Sequence, residues 1–108
     1  MQDADVAKSA ETCAASRLIN SGQSCIAAKR FIVVDSIYDA WLEAFTEHMR
    51  AATVGSPFES GVTVGPQARR DLRDELHAQV ERSVAAGARI VLGGEIPDGP
   101  GAYYPPTV

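Results

Sequence analysis

No stretch of the 108-residue sequence approaches the roughly 18 apolar residues that a membrane-spanning helix needs. Its apolar runs, such as Phe31 to Val34 and Ile90 to Leu92, are short, and no charged-then-apolar leader opens the chain. A membrane-inserted or secreted protein is therefore not expected. Basic charge is not in excess either: 10 Lys and Arg stand against 14 Asp and Glu, a net charge of −4 spread evenly over both halves. That balance offers no basic face to nucleic acid. Cysteine is scarce, with only Cys13 and Cys25, and neither a CxxC pair nor a Cys/His metal spacing can be assembled from them with His48 and His77. A disulfide or zinc framework is not expected, and in a reducing, cytoplasmic setting each thiol is free. What is present is ordinary: 45% hydrophobic and 22% charged residues describe globular material with room for one core.

Periodicity divides the chain into six elements. Val6, Ala10, Cys13/Ala14 and Leu18 recur at helical intervals after Asp3-Ala4-Asp5, so a helix to about Leu18 is expected, with Asp3 or Asp5 as its N-cap. Asn20-Ser21-Gly22-Gln23-Ser24 stops it and delivers the chain to Cys25 on a loop. Phe31-Ile32-Val33-Val34 reads as a strand covered on both faces. Ile37, Trp41, Leu42, Phe45, Met49 and Ala52 make the apolar stripe of a second helix, whose Ser36 and Asp39 resemble a capping box. After the loop from Gly55 to Gly61, Val62 to Pro66 leads to a third helix with the rail Leu72, Leu76, Val80 and Val84. Gly87 stands at its C′ position, Arg89 to Leu92 reads as a buried strand, and Gly93-Gly94 turns out of it. A Gly/Pro turn and a Tyr-Tyr strand finish the chain. Helices alternating with apolar strands point to an α/β fold with a parallel-rich sheet. Two or three strands make a poor sheet alone, so the chain is expected to be a slice of a larger protein.

Among the chemically capable residues Cys25 stands out. A lone cysteine is ordinarily a small buried hydrophobe. Here Gly22 permits a turn closed to side chains, Gln23 can hydrogen-bond the loop, small neighbours leave room for a substrate, and backbone N–H groups of such a turn can face a developing oxyanion. Composition alone leaves the two readings open. Cys13 falls on the apolar side of the first helix and is assigned to the core, as are Trp41 and Phe45. His48 and His77 are assigned to solvent or caps, and the mixed charges of Arg69 to Glu75 to a solvated helix face with i, i+4 pairing.

Asn20-Ser-Gly-Gln-Ser-Cys-Ile-Ala-Ala-Lys-Arg-Phe-Ile-Val34 resembles the active-cysteine segment of the NAD(P)+-dependent aldehyde dehydrogenase superfamily. Asp3-Ala4-Asp5 is similar to the start of the helix before that family's nucleophile. Gly65-Pro66, Gly87-Ala88 with Gly93-Gly94, and Pro106-Thr107 match further landmarks in the family's order. Gln23 to Arg30 and Gly65 to His77 look most like the succinate-semialdehyde dehydrogenase branch. The resemblance implies that residues 1–108 are an internal fragment of the catalytic domain and that Cys25 is the nucleophile. It would add to an aldehyde carbon to give a thiohemiacetal, then a thioester that water releases as the acid. A free thiol of pKa about 8.5 is only a few per cent ionised at neutral pH, so a thiolate there needs help.

By the same resemblance, Asn20, Gly22 and Gln23 shape the loop and Ser24 and Ile26 the substrate pocket. The general-base Glu, the oxyanion-hole Asn and the NAD or NADP site lie outside the chain. No cofactor or metal contact is assigned to it. A small aldehyde and a homo-oligomeric parent enzyme are the implied partners, and the chain alone is expected to be inactive. Two departures bear on the substrate. Several succinate-semialdehyde enzymes carry an Arg immediately before the motif's Asn, where this chain has Ile19; Arg17 lies about 200° around a helix from there and is a poor substitute. The neighbouring cysteine of a redox switch is replaced by Ser24 and Ile26. The competing reading is a stand-alone, non-catalytic α/β module serving interaction or thiol reactivity.

Overall fold

The computed structural model describes Met1 and residues 3–108, which form two units, 1–51 and 52–108. In the first, Asp5 is extended and its carboxylate accepts the Lys8 N–H at 3.0 Å, so α1 runs Val6–Leu18. Of the two candidate caps it is Asp5 that satisfies one of the four N–H groups a helix start leaves without partners. Ala10 and Ala14, one turn apart, are both buried and let α1 pack closely on α2, Tyr38–Arg50. From α2, Trp41, Phe45 and Met49 fill the space, as their 3.6-residue spacing predicts. The Trp41 and Phe45 rings stack with centroids 4.8 Å apart, and Phe31 tilts against them at 5.6 and 5.0 Å. Trp41 Nε1 donates to Ser9 Oγ at 3.1 Å, giving the indole's one polar atom a partner inside the packed region.

Two expectations for this unit need correction. The Ser36/Asp39 capping box does not form: Asp35–Ile37 is a 3-10 turn, Ile37 occupies the cap position of α2, and no side chain caps the helix. Residues 31–34 are extended but belong to no strand, and Ile32 is 99% exposed instead of covered. A strand needs a neighbouring row of N–H and C=O groups about 4.8 Å away. Among the described residues nothing offers one there; Phe31 packs on the rings of α2, and Val33 is half-buried.

In the second unit, Thr53-Val54 and Thr63-Val64 approach as a single parallel bridge, with Val64 N–H donating to Thr53 O at 3.0 Å and Gly55 N–H to Val64 O at 3.1 Å. The third helix, α3, covers Arg70–Ala85. Its end is a Schellman motif: Gly87, at φ +102°, donates to Val84 O at 2.9 Å, and Ala88 donates to Ser83 O at 2.9 Å. None of α3's residues is fully buried: along the rail Leu76 and Val80 are half-buried and Leu72 and Val84 exposed, so the stripe is only partly covered. Its charges also differ from expectation. Arg69 pairs with Asp71 and Arg73 with Asp74, not at i, i+4, while Arg73 is drawn in to donate to Gly101 O at 3.1 Å.

The segment 90–92 is likewise no buried strand: Ile90 and Val91 are exposed, and its only backbone partner among the described residues is Val108, bonded to Val91 and Leu92 at 2.7 to 3.2 Å. Gly93 and Gly94 do turn, at φ +67° and +88°. Ala102 and Tyr104 are buried on the final extended stretch. Among the described residues the expected sheet is therefore not formed, and the helices carry the regular structure. Among the described residues no helix is long and apolar enough to cross a membrane.

Candidate active site: the Cys25 loop

The loop begins where α1 ends. Asn20, Ser21 and Gly22 are all left-handed, at φ 49°, 55° and 77°. Such a conformation costs an ordinary L-residue about 1–2 kcal/mol, less for Asn, and nothing of that kind for Gly. Three in succession reverse the chain at the foot of the helix. Gln23 N–H closes this turn on Asn20 O at 3.0 Å. A second turn, closed by Ala27 N–H on Ser24 O at 3.0 Å, brackets Cys25 and Ile26, and Ala28 N–H then returns to Ser16 O on α1 at 3.3 Å. Ala27 is buried and anchors the loop, while Cys25 is a free thiol facing solvent and Ile26 beside it is 74% exposed. Within this chain, then, Cys25 is exposed and is not a buried hydrophobe.

One residue of this site was weighed in the sequence only as a poor substitute for a substrate-binding arginine. Arg17, in the last turn of α1, sends Nη2 to Gly22 O and Nη1 to Ala28 O, each at 2.9 Å. The two carbonyls stand three residues before and three after Cys25, so one guanidinium ties both ends of the thiol-bearing segment to the helix. Burial pulls the Arg17 pKa below its ordinary value, yet an arginine remains charged. The approach also gives Gly22 a second reason to be glycine: a Cβ there would lie 2.2 Å from Arg17 Nη2. The only sequence hint is general, since a basic residue in a last helical turn can reach nearby carbonyls.

The other candidates sort as follows. Asn20 and Gly22 make the turn, Gln23 supplies a main-chain bond to it, and Ser24 is half-buried with its carbonyl bonded to Ala27. Cys13 is half-buried, not fully in the core, and borders a shallow hollow on α1 with Asp5, Lys8, Ser9 and Thr12. His48 is exposed, but His77 is not simply solvated: its Nδ1 lies 3.0 Å from Tyr104 Oη, and Nε2 lies 3.8 Å from Glu81. Burial first, and the Glu81 charge second, push the Tyr104 pKa upward.

A dinucleotide would need a glycine-lined cradle of open N–H groups. Gly93 and Gly94 do not provide it: a Cβ on Gly93 would meet Pro106 O at 2.4 Å, and Gly94 N–H already donates to Thr107 Oγ1 at 3.1 Å. These glycines pack against their own chain. Among the described residues no group of His, Cys, Asp and Glu could hold a metal ion.

The backbone arrangement of this chain recurs in solved dehydrogenases. Lactaldehyde dehydrogenase from Escherichia coli matches 99% of the chain at TM-score 0.96 and 38% identity, over 23% of its own length. A 3,6-anhydro-L-galactose dehydrogenase in complex with NAP matches 99% at TM-score 0.94 and 30% identity, again over 23% of that chain. The expected fold, that of part of an aldehyde dehydrogenase, is thus the fold found. The model of the aldehyde dehydrogenase family matches residues 1–108, and the chain belongs to that family. Among its relatives, a succinate-semialdehyde dehydrogenase [NADP(+)] of Mycolicibacterium paratuberculosis is 50% identical over the whole chain. A succinate semialdehyde dehydrogenase [NAD(P)+] of Escherichia coli is 48% identical over the same extent. The chain spans about 23% of the length of each of these curated relatives.

Proposed function

We propose that the chain is the nucleophile-bearing part of an NAD(P)+-dependent aldehyde dehydrogenase, with succinate semialdehyde as substrate and Cys25 as nucleophile. The observation that carries this reading is the free, solvent-facing Cys25 thiol on a loop tied at both ends to α1. The substrate and cofactor class follow the names of the relatives at 50% and 48% identity. The Cys25 thiolate adds to the aldehyde carbon; a C–S bond forms and the carbonyl π pair moves onto oxygen, giving the thiohemiacetal. The Cys25 N–H faces that developing charge as half of an oxyanion hole. At the end of the cycle water adds to the thioester carbon, the C–S bond breaks, and sulfur leaves with the electron pair as thiolate. These two steps at sulfur are the ones assigned to this chain. Gly93 and Gly94 do not fit as a cradle for NAD(P)+, so no step is assigned through that cofactor, whose site is read as lying in the remainder of the enzyme.

Asn20, Gly22 and Gln23 set the loop, and Ser24 and Ile26 border the aldehyde's approach. The parent enzyme is read as a cytoplasmic homo-oligomer that binds neither nucleic acid nor membrane, in keeping with free thiols and a net charge of −4. The test is Cys25→Ala in the intact enzyme, which is expected to abolish acid formation from succinate semialdehyde; turnover at the wild-type rate overturns the assignment. Residues 1–108 alone are expected to form no NADH or NADPH.

A further inference from the structure

We infer that Arg17 is a positioning residue for Cys25: its guanidinium spans the Gly22 and Ala28 carbonyls and fixes where the sulfur stands. The inference rests on Cys25 being the nucleophile. Three observations support it. The two acceptors, each at 2.9 Å, flank the thiol symmetrically along the chain, so losing the fork frees both ends of the segment at once. Among the described residues Arg17 has no carboxylate partner, so a partly buried cation is balanced here by carbonyl dipoles alone. Burying a charge is costly without good partners, and a planar fork meets two carbonyls where an ammonium meets one well. Finally, a Cβ at position 22 would collide with Nη2, so the arginine holds this place only because residue 22 is glycine.

The same geometry separates this role from substrate binding. Each terminal nitrogen of Arg17 gives an N–H to a main-chain oxygen, which turns the fork toward the loop; a substrate ligand would instead show itself in KM. Arg17 acts through Cys25, and its loss should appear in kcat with KM little changed.

The experiment uses the intact enzyme with Arg17→Ala, Arg17→Lys and Cys25→Ala. Arg17→Ala is expected to lower kcat about 100-fold, the scale of a reacting group misplaced by about 1 Å. Alkylation of Cys25 by iodoacetamide, followed by mass spectrometry on its peptide, should slow in parallel. Added guanidinium chloride at millimolar concentration should restore part of both rates, a rescue that a merely folding-related defect would not show. Arg17→Lys keeps the charge without the span and is expected to lose about 10-fold, the scale of one bond to a charged group; it carries the test if Arg17→Ala fails to fold. Wild-type kcat and alkylation rate in the folded arginine variants, with Cys25→Ala inactive, would overturn the positioning role alone. So would a raised KM for succinate semialdehyde with kcat unchanged, which would make Arg17 a substrate ligand. An active Cys25→Ala would instead overturn the nucleophile.

Discussion

Gly22→Ala tests how the cysteine loop is held, because its cost has two separable parts. Gly22 sits at φ +77°, and an alanine kept there pays about 1–2 kcal/mol for the left-handed backbone. Its Cβ would also stand 2.2 Å from Arg17 Nη2 and 3.0 Å from Cζ. That collision is relieved easily, since the end of a long side chain can swing away. Swinging away, however, gives up the bond to Gly22 O, and a hydrogen bond to a charged group contributes about 1.5–3 kcal/mol. Holding the catalytic loop conformation therefore costs the variant about 2.5–5 kcal/mol, a fall in kcat/KM of about 100-fold or more. In an Arg17→Ala background only the backbone part remains, so Gly22→Ala should then cost about 5- to 30-fold. The assay is a double-mutant cycle on kcat/KM in the intact enzyme, with a coupling of about 1.5–3 kcal/mol expected. Equal losses in both backgrounds would refute the claim that this glycine and this arginine form one device.

The remaining predictions concern stability. Phe45→Ala removes a ring stacked on Trp41 and touching Phe31, and should destabilise the first unit by about 3–5 kcal/mol, read as a lowered unfolding midpoint in urea. Gly87→Ala meets no atom within 4 Å but must hold φ +102°, so it should cost about 1–2 kcal/mol, and Gly87→Asn clearly less; equal costs would contradict the Schellman geometry. Tyr104 has its pKa raised in the folded state by burial and then by Glu81. Its contribution is therefore complete below the ordinary tyrosine value of about 10 and is lost as pH rises from there through the raised folded value. Tyr104→Phe should reduce the loss of stability between pH 9 and pH 11, measured by urea midpoints; an unchanged loss would assign alkaline destabilisation elsewhere.

What the sequence made legible was local. The Asp5 cap, the Trp41-Phe45-Met49 stripe, the Gly87 terminus and the turn at Asn20 to Gly22 each depend on residues within one or two turns of chain, and side-chain type alone encodes them. The segments 31–34 and 90–92 form no strand among the described residues, because an apolar run reports that a surface wants cover, not what covers it. Strand formation depends on a distant backbone, and the described residues bring only Val108 to one of these segments. The capping box failed for a related reason: Ser36 and Asp39 have the right spacing, but the 3-10 turn at Asp35–Ile37 puts Ile37 where the cap belongs. The candidate nucleophile could be picked from its motif, whereas its support could not.

That support eluded the sequence because Arg17 bonds to carbonyl oxygens, and every residue has one. A salt bridge leaves two charged residues to be noticed; a guanidinium on the backbone leaves only a single arginine at a helix end. Its acceptors, five and eleven residues on, become meaningful only once the left-handed turn has brought them together. Both parts depend on Gly22, since the turn at φ +77° favours a residue without Cβ and the arginine needs the space that this residue leaves. An outward-facing nucleophile cannot be held by packing of its own side chain without losing access. If Cys25 is the nucleophile, as proposed, fixing the main chain on either side of it by a cation anchored in α1 holds the sulfur while leaving it open to solvent.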